Sequence, residues 1–112
     1  MAYDEHLAEQ IRNQLGLAVD VTEKKMFGGL AFLINGNMCI AASGQGGLLI
    51  RVDPKKTNKI ISSNAGAEIM IMRGKEMLGW LRIRNRDLGE KELANWVKLS
   101  TSFARSLPKK EG

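Results

Sequence analysis

The sequence predicts an α+β domain in which an antiparallel sheet packs against helices, in the order α-β-β-β-α-β-β-α. Three observations predict it. Asn35-Gly36 separates two apolar runs, 30–34 and 37–42, and a two-residue loop of that composition fits the two positive φ angles of a type I′ hairpin turn. Leu81 and Ile83 alternate with Trp80, Arg82 and Arg84, the period-two pattern of a strand. Leu93, Trp96, Val97, Ser100, Phe103, Ala104 and Leu107 form the broad stripe of a long C-terminal helix. Hairpin-length connections and the absence of βαβ units favour antiparallel pairing.

The first helix is capped by Asp4, shows Leu7, Ile11 and Leu15 at every fourth position, and stops at Gly16, a residue suited to the left-handed end of a helix. Val19 and Val21 alternate with polar neighbours and lead to Gly28-Gly29, a predicted bulge or tight bend before the hairpin. Counting outward from the turn pairs Ile34 with Asn37, Leu33 with Met38, Phe32 with Cys39, Ala31 with Ile40 and Leu30 with Ala41. Opposed residues share a face, so Leu30, Phe32, Cys39 and Ala41 form one face and Ala31, Leu33, Met38 and Ile40 the other. Neither is polar, as one face of a half-solvated antiparallel sheet would be. Both need covering, and a chain of 112 residues has little helix for the task. This points to a second copy or another protein on one face, with Leu30, Phe32, Met38 and Ile40 as candidate interface residues.

Beyond the hairpin, the Gly-rich segment 43–47 leads into a strand over 48–52, with Leu48, Ile50 and Val52 on one face and Leu49 and Arg51 on the other. A phosphate cradle needs the amides of a helix N-terminus; this loop enters a strand and reads as a hairpin loop. Asp53-Pro54 supplies a capping carboxylate and a proline suited to the first helical turn. The short helix that follows, to about Ser62, carries Lys55, Lys56 and Lys59 and only Ile60 and Ile61 as strong apolar residues, so it should lie mostly exposed. Asn64-Ala65-Gly66 turns the chain into a strand over 68–72, and 73–76 links it to another from Met77 to about Arg84. Asp87 with Glu90 resembles a capping box for the last helix, with Gly89 as a competing start. Pro108 ends that helix, and 109–112 reads as a polar tail.

With 44% hydrophobic and 26% charged residues the chain reads as one globular domain, residues 1–112, able to form a core without staples. Its lone cysteine, Cys39, excludes an internal disulfide framework and suits a reducing compartment. No basic N-terminal segment leads into an apolar run, and no apolar stretch approaches the roughly 20 residues that span a bilayer. The expected location is the cytoplasm, with no membrane partner. A formal charge of +5 is compatible with nucleic acid or an acidic partner.

No catalytic or metal-binding constellation stands out, and no cofactor is implied. His6 has no neighbouring ligand at metal-binding spacing and reads as a solvent-facing helix residue, since zinc sites need three or four ligands. Cys39 reads as a small buried hydrophobe, because nothing places the single imidazole beside it. The chain is therefore expected not to be an enzyme. Its six methionines read as adaptable core filler, with an interaction face including Met38, Met70 or Met72 as the other option.

The segment 73–86 holds five basic residues against one acid. Trp80 with Arg82, Arg84 and Arg86 reads as a sheet platform where guanidinium groups meet phosphates and the indole stacks on a base. Lys24, Lys25, Arg51, Arg73 and Lys75 extend this candidate surface for nucleic acid or an acidic partner. The competing reading puts Trp80 under a helix or at an oligomer contact and pairs the arginines with carboxylates such as Glu68.

Five blocks arrive in order along nearly the whole chain: KKMFGGLAF from Lys24 to Phe32, NGNMC from Asn35 to Cys39, LIRV from Leu49 to Val52, GKEM from Gly74 to Met77 with Gly79-Trp80, and Trp96 with Ser106-Leu107-Pro108. Together they resemble the N-terminal domain of TfoX/Sxy proteins. The resemblance implies an α+β fold similar to that of secretion chaperones, a bacterial or archaeal cytoplasmic protein, and no catalytic residues to carry over. Named members are positive regulators of natural-competence genes, held to act with a transcription activator. Two-domain members continue into a C-terminal helical domain; a sequence ending at Gly112 reads as the stand-alone version. The functional expectation is a regulatory protein-interaction module with a protein partner or a second copy of itself. The alternatives are a nucleic-acid-binding domain and a small-molecule binder, the latter needing a deep pocket with converging polar groups.

Overall fold

The computed structural model describes residues 4–16, 20–26, 28–44, 46–63, 66–84 and 89–108. Along them run helix α1 (Glu5–Leu15), strands β1 (Val21–Met26), β2 (Gly29–Ile34), β3 (Asn37–Ala42) and β4 (Leu48–Arg51), and a 3-10 turn (Pro54–Lys56) continuing into helix α2 (Thr57–Ser63). Strands β5 (Ala67–Met72) and β6 (Lys75–Ile83) and helix α3 (Glu90–Ser106) complete the order. The strands form one sheet ordered β1-β2-β3-β4-β6-β5, antiparallel at every pairing. The predicted α+β class holds, with one strand added.

That added strand is β1. Its residues Thr22 to Lys25 are all exposed, so no apolar alternation betrays it. An edge strand needs only one partner, and β1 takes its register from β2, Val21 opposite Ile34 through Met26 opposite Gly29. Arg12 of α1 grips Glu23 with two hydrogen bonds, at 2.7 and 2.8 Å, and Arg105 of α3 holds Asp20 just before the strand. Both carboxyls are held below the usual carboxylate range by these arginines.

The Asn35-Gly36 turn is as predicted, with φ of 52° and 82°. The register beyond it is not. Leu33 faces Met38, but Phe32 faces Ile40, Ala31 faces Ala41 and Leu30 faces Ala42. Cys39 is the extra residue of a β-bulge, and every residue after it in β3 changes face. Ile40 therefore joins Phe32 in the core and Ala41 joins Ala31 on the opposite face, reversing the predicted assignment of both. The buried Asn37 amide donates to the Pro108 carbonyl at 2.9 Å, pinning the hairpin to the end of α3.

Asp4 caps α1 by accepting from the amides of His6 and Leu7, and Asp53 caps the 3-10 turn by accepting from Lys55 at 2.9 Å. At α3 the N-cap is Gly89, without a side-chain bond; the predicted Asp87 cap lies outside the described residues. The core lies between the helices and one sheet face: Leu7 and Ile11 of α1, and Leu93, Trp96, Val97 and Ala104 of α3, meet Leu30, Phe32, Ile34, Ile40, Ile50, Leu81 and Ile83. Half-buried Ile60 and Ile61 add α2 to the same side.

Cys39 is fully buried within this core. Burial pushes its thiol up from an ordinary 9.0 to about 11, partly offset by a hydrogen bond with Ser100. An unfolded chain ionises the thiol near pH 9 while the folded one keeps it neutral, so the unfolded state binds fewer protons between pH 9 and about 11. This contribution to stability is complete below pH 9 and declines as pH rises through that window. Cys39→Ala should flatten the decline in urea melts, and a thiol reagent should label the native chain only after denaturant is added.

Candidate functional site

All three helices lie on the core side, so among the described residues the opposite face of the sheet carries no helix. Period-two alternation places there the side chains that the core did not take. They enclose a groove of about 490 Å³. Its floor consists of Gly29, Ala31, Ala41 and Leu49, and its walls of Met26, Met38, Met70, Met72, Met77 and Trp80, with Ser43 and Arg82 at one end. Five of the six methionines thus converge on one surface.

The walls depend on a distortion of β6. Ile69 faces Leu81, but Met70 faces Met77, leaving Leu78, Gly79 and Trp80 outside the β5 ladder. Gly79 sits at φ 91°, donates its amide to the buried Thr57 hydroxyl at 2.9 Å and accepts from the Val52 amide at 2.8 Å. A Cβ there would lie 3.1 Å from the Val52 carbonyl and from the Pro54 ring, so the position requires glycine. The break in the ladder bends the β5–β6 hairpin and brings Met70, Met72 and Met77 to the groove. The outer part of the hairpin leaves Ile71 63%, Leu78 53% and Met72 40% exposed.

The small floor has its own cause. At Gly29 a Cβ would run into the Ala42 carbonyl of the neighbouring strand, so the close approach of β2 and β3 excludes a side chain. Ala31 and Ala41 are directly opposed, and the two methyls leave a hollow where larger residues would fill the surface.

Charge frames this apolar surface. Arg51 lies over the rings of Trp80, at 5.6 Å from its centroid, and Phe103 of α3, at 5.8 Å, a cation held between two aromatic faces. Arg82 donates to the Ser43 hydroxyl at 3.3 Å, and Arg84 is ion-paired with Glu68 at 2.6 Å. Lys24 is opposite Ala31 and Lys75 opposite Met72, so both share the groove face. Lys25 is opposite Leu30 and points to the helix side. Arg73 occupies the exposed β5–β6 turn at φ 53°, and Arg86 lies outside the described residues. The predicted basic set is thus divided between two faces and a turn, and one face of the Trp80 ring is taken by Arg51.

Of the candidate interface residues, Met38 lines the groove, whereas Leu30, Phe32 and Ile40 are buried beneath the helices at 4% exposure or less. Sequence reasoning missed the floor of the groove. Part of its signal was available as the alternation of Gly29 and Ala31 with Leu30 and Phe32, small residues marking the face where something else must fit. His6 is exposed on α1. Among the described residues no cluster of three or more His, Cys, Asp or Glu is placed to hold a metal ion, and no helix is long and apolar enough to cross a membrane.

Neither the curated proteins nor the solved structures contain a significant match to this sequence. The family model of the TfoX N-terminal domain matches residues 13–104, from the last turn of α1 almost to the end of α3, and so takes in every strand and the whole groove lining. The chain belongs to the TfoX N-terminal domain family.

Proposed function

We propose that this chain is a non-enzymatic regulatory module that docks a protein partner in the methionine-walled groove. The observation that carries the reading is the groove itself: an apolar hollow of about 490 Å³ on a sheet face that the chain's own described helices leave open. Unbranched methionines repack around different side chains, and surfaces built from them serve protein recognition. Apolar surface left open at this scale marks a contact site. Membership of the TfoX N-terminal domain family supports a regulatory setting, transcription of competence-type genes, with the partner a component of that machinery in the cytoplasm.

The test uses Leu49, half-buried on the floor and opposite Arg82. Leu49→Asp puts a charge where an apolar partner must lie, while the helix-side core is untouched. A partner captured by the wild-type chain should bind the variant at least tenfold more weakly, with thermal unfolding showing an intact fold. Equal binding by a folded Leu49→Asp chain would remove the groove from the partner's contact.

A further inference from the structure

We infer that the groove takes an amphipathic helix bearing carboxylates at both ends of its apolar stripe, with Arg82 and Lys24 as their partners. This rests on the docking reading above and names the chemistry of what docks. A single cross-strand row carries it: Lys24 opposite Ala31, Ala31 opposite Ala41, Ala41 opposite Leu49, and Leu49 opposite Arg82. The row runs from cation to cation over an apolar floor. Five adjacent strands at about 4.8 Å spacing make it about 19 Å long, which a helix rising 1.5 Å per residue crosses in about 13 residues.

Arg82 is a half-buried guanidinium at the apolar groove, and among the described residues no carboxylate comes within ion-pair distance of it. Glu68, its direct neighbour on β5, is turned to Arg84 instead. A guanidinium removed from water is stabilised by a carboxylate, which it can grip through two N–H bonds. Among the described residues Glu68 is also the one strand carboxylate that the register places on this face, beside Lys24, Lys75 and Arg82. A second copy docked face to face would bring these cations against their own kind, which costs free energy; an acidic partner reverses the sign.

The occupant's conformation follows from the floor. The backbone groups of β2, β3 and β4 already pair with one another across the sheet, so a chain lying on their apolar side chains finds no main-chain partners. A helix bonds its own backbone internally, whereas a strand laid on the face would leave amides and carbonyls unpaired.

The probe is a pair of labelled 18-residue helical peptides with the same Leu/Met stripe, flanked about 14 residues apart, a spacing that returns to the same helix face, by Glu in one and Gln in the other, followed by anisotropy. The Glu peptide should bind at least tenfold more tightly at low salt, and the preference should shrink as salt rises. Arg82→Met should erase most of it, as should Lys24→Gln on the exposed edge if Arg82→Met disturbs the fold. Arg82→Glu should transfer the preference to a Lys-flanked peptide. Equal binding of the Glu and Gln peptides, unmoved by Arg82→Met but lost in Leu49→Asp, would overturn the charge assignment and leave groove docking standing. Self-association abolished by Leu49→Asp, with no peptide bound, would put a second copy in the groove and overturn the inference. Failure of either peptide to bind a chain that also stays monomeric would overturn the inference and count against the docking reading.

Discussion

Phe32→Ala is expected to cost about 3–5 kcal/mol of folding stability, measured as a lower urea midpoint at unchanged slope. Phe32 is 1% exposed in the middle of β2, facing Ile40 across the hairpin beneath α1 and α3. Truncation removes the transfer free energy of the ring and leaves a cavity that a sheet held by strands on both sides closes poorly. Domains of this size have about 5–15 kcal/mol in all, so a substantial unfolded population at physiological temperature is the expected phenotype. Leu33→Ala, one residue along and half-buried on the groove side, should cost about 1 kcal/mol or less. Two neighbouring residues on one strand thus report separately on the packed and the open face. Similar losses from both would contradict the assignment of faces.

Gly79→Ala is expected to cost about 1–3 kcal/mol. The left-handed φ of 91° disfavours any side chain, and the added methyl meets the Val52 carbonyl and the Pro54 ring. Relief requires Gly79 to move, which breaks its hydrogen bond with the buried Thr57 hydroxyl and leaves the Thr57 hydroxyl only its bond to the Asp53 carbonyl. The same substitution should change the groove. If β6 straightens, the hairpin no longer brings Met70, Met72 and Met77 to the Trp80 side, and quenching of Trp80 emission by acrylamide should rise. Trp96, on the buried face of α3, provides the unquenched reference. A variant with wild-type stability and wild-type quenching would show that the bend does not depend on glycine.

Much of this architecture was legible because single residues carried local geometry. Asn35-Gly36 specified a turn through φ, Asp4 and Asp53 specified helix starts through their carboxylates, and the alternation around Leu81 specified which side of β6 is buried. The bulge at Cys39 was not legible, since Phe32, Cys39, Ile40 and Ala41 are all apolar or small and hydrophobicity alone does not say which one is extra. β1 escaped because its Thr, Glu and Lys residues meet water on both sides. The groove escaped for a different reason. Its methionines are spread from Met26 to Met77, and they meet only because β6 pairs with β4 and bends at Gly79, two tertiary facts without a local signature. That the apolar hairpin had a surplus face was visible; which residues formed it depended on the bulge.

The placement of Arg51 has a consequence for motion. Its guanidinium touches an indole on the sheet and a phenyl ring on α3 at once, so the Trp80 ring cannot swing without changing the surroundings of Phe103. The final turns of α3, themselves fastened to the hairpin through Asn37 and Pro108, are then expected to open together with the groove wall. Hydrogen exchange near Phe103 becomes a remote reporter of occupancy: whatever immobilises Trp80 slows exchange at the end of a helix on the far side of the sheet.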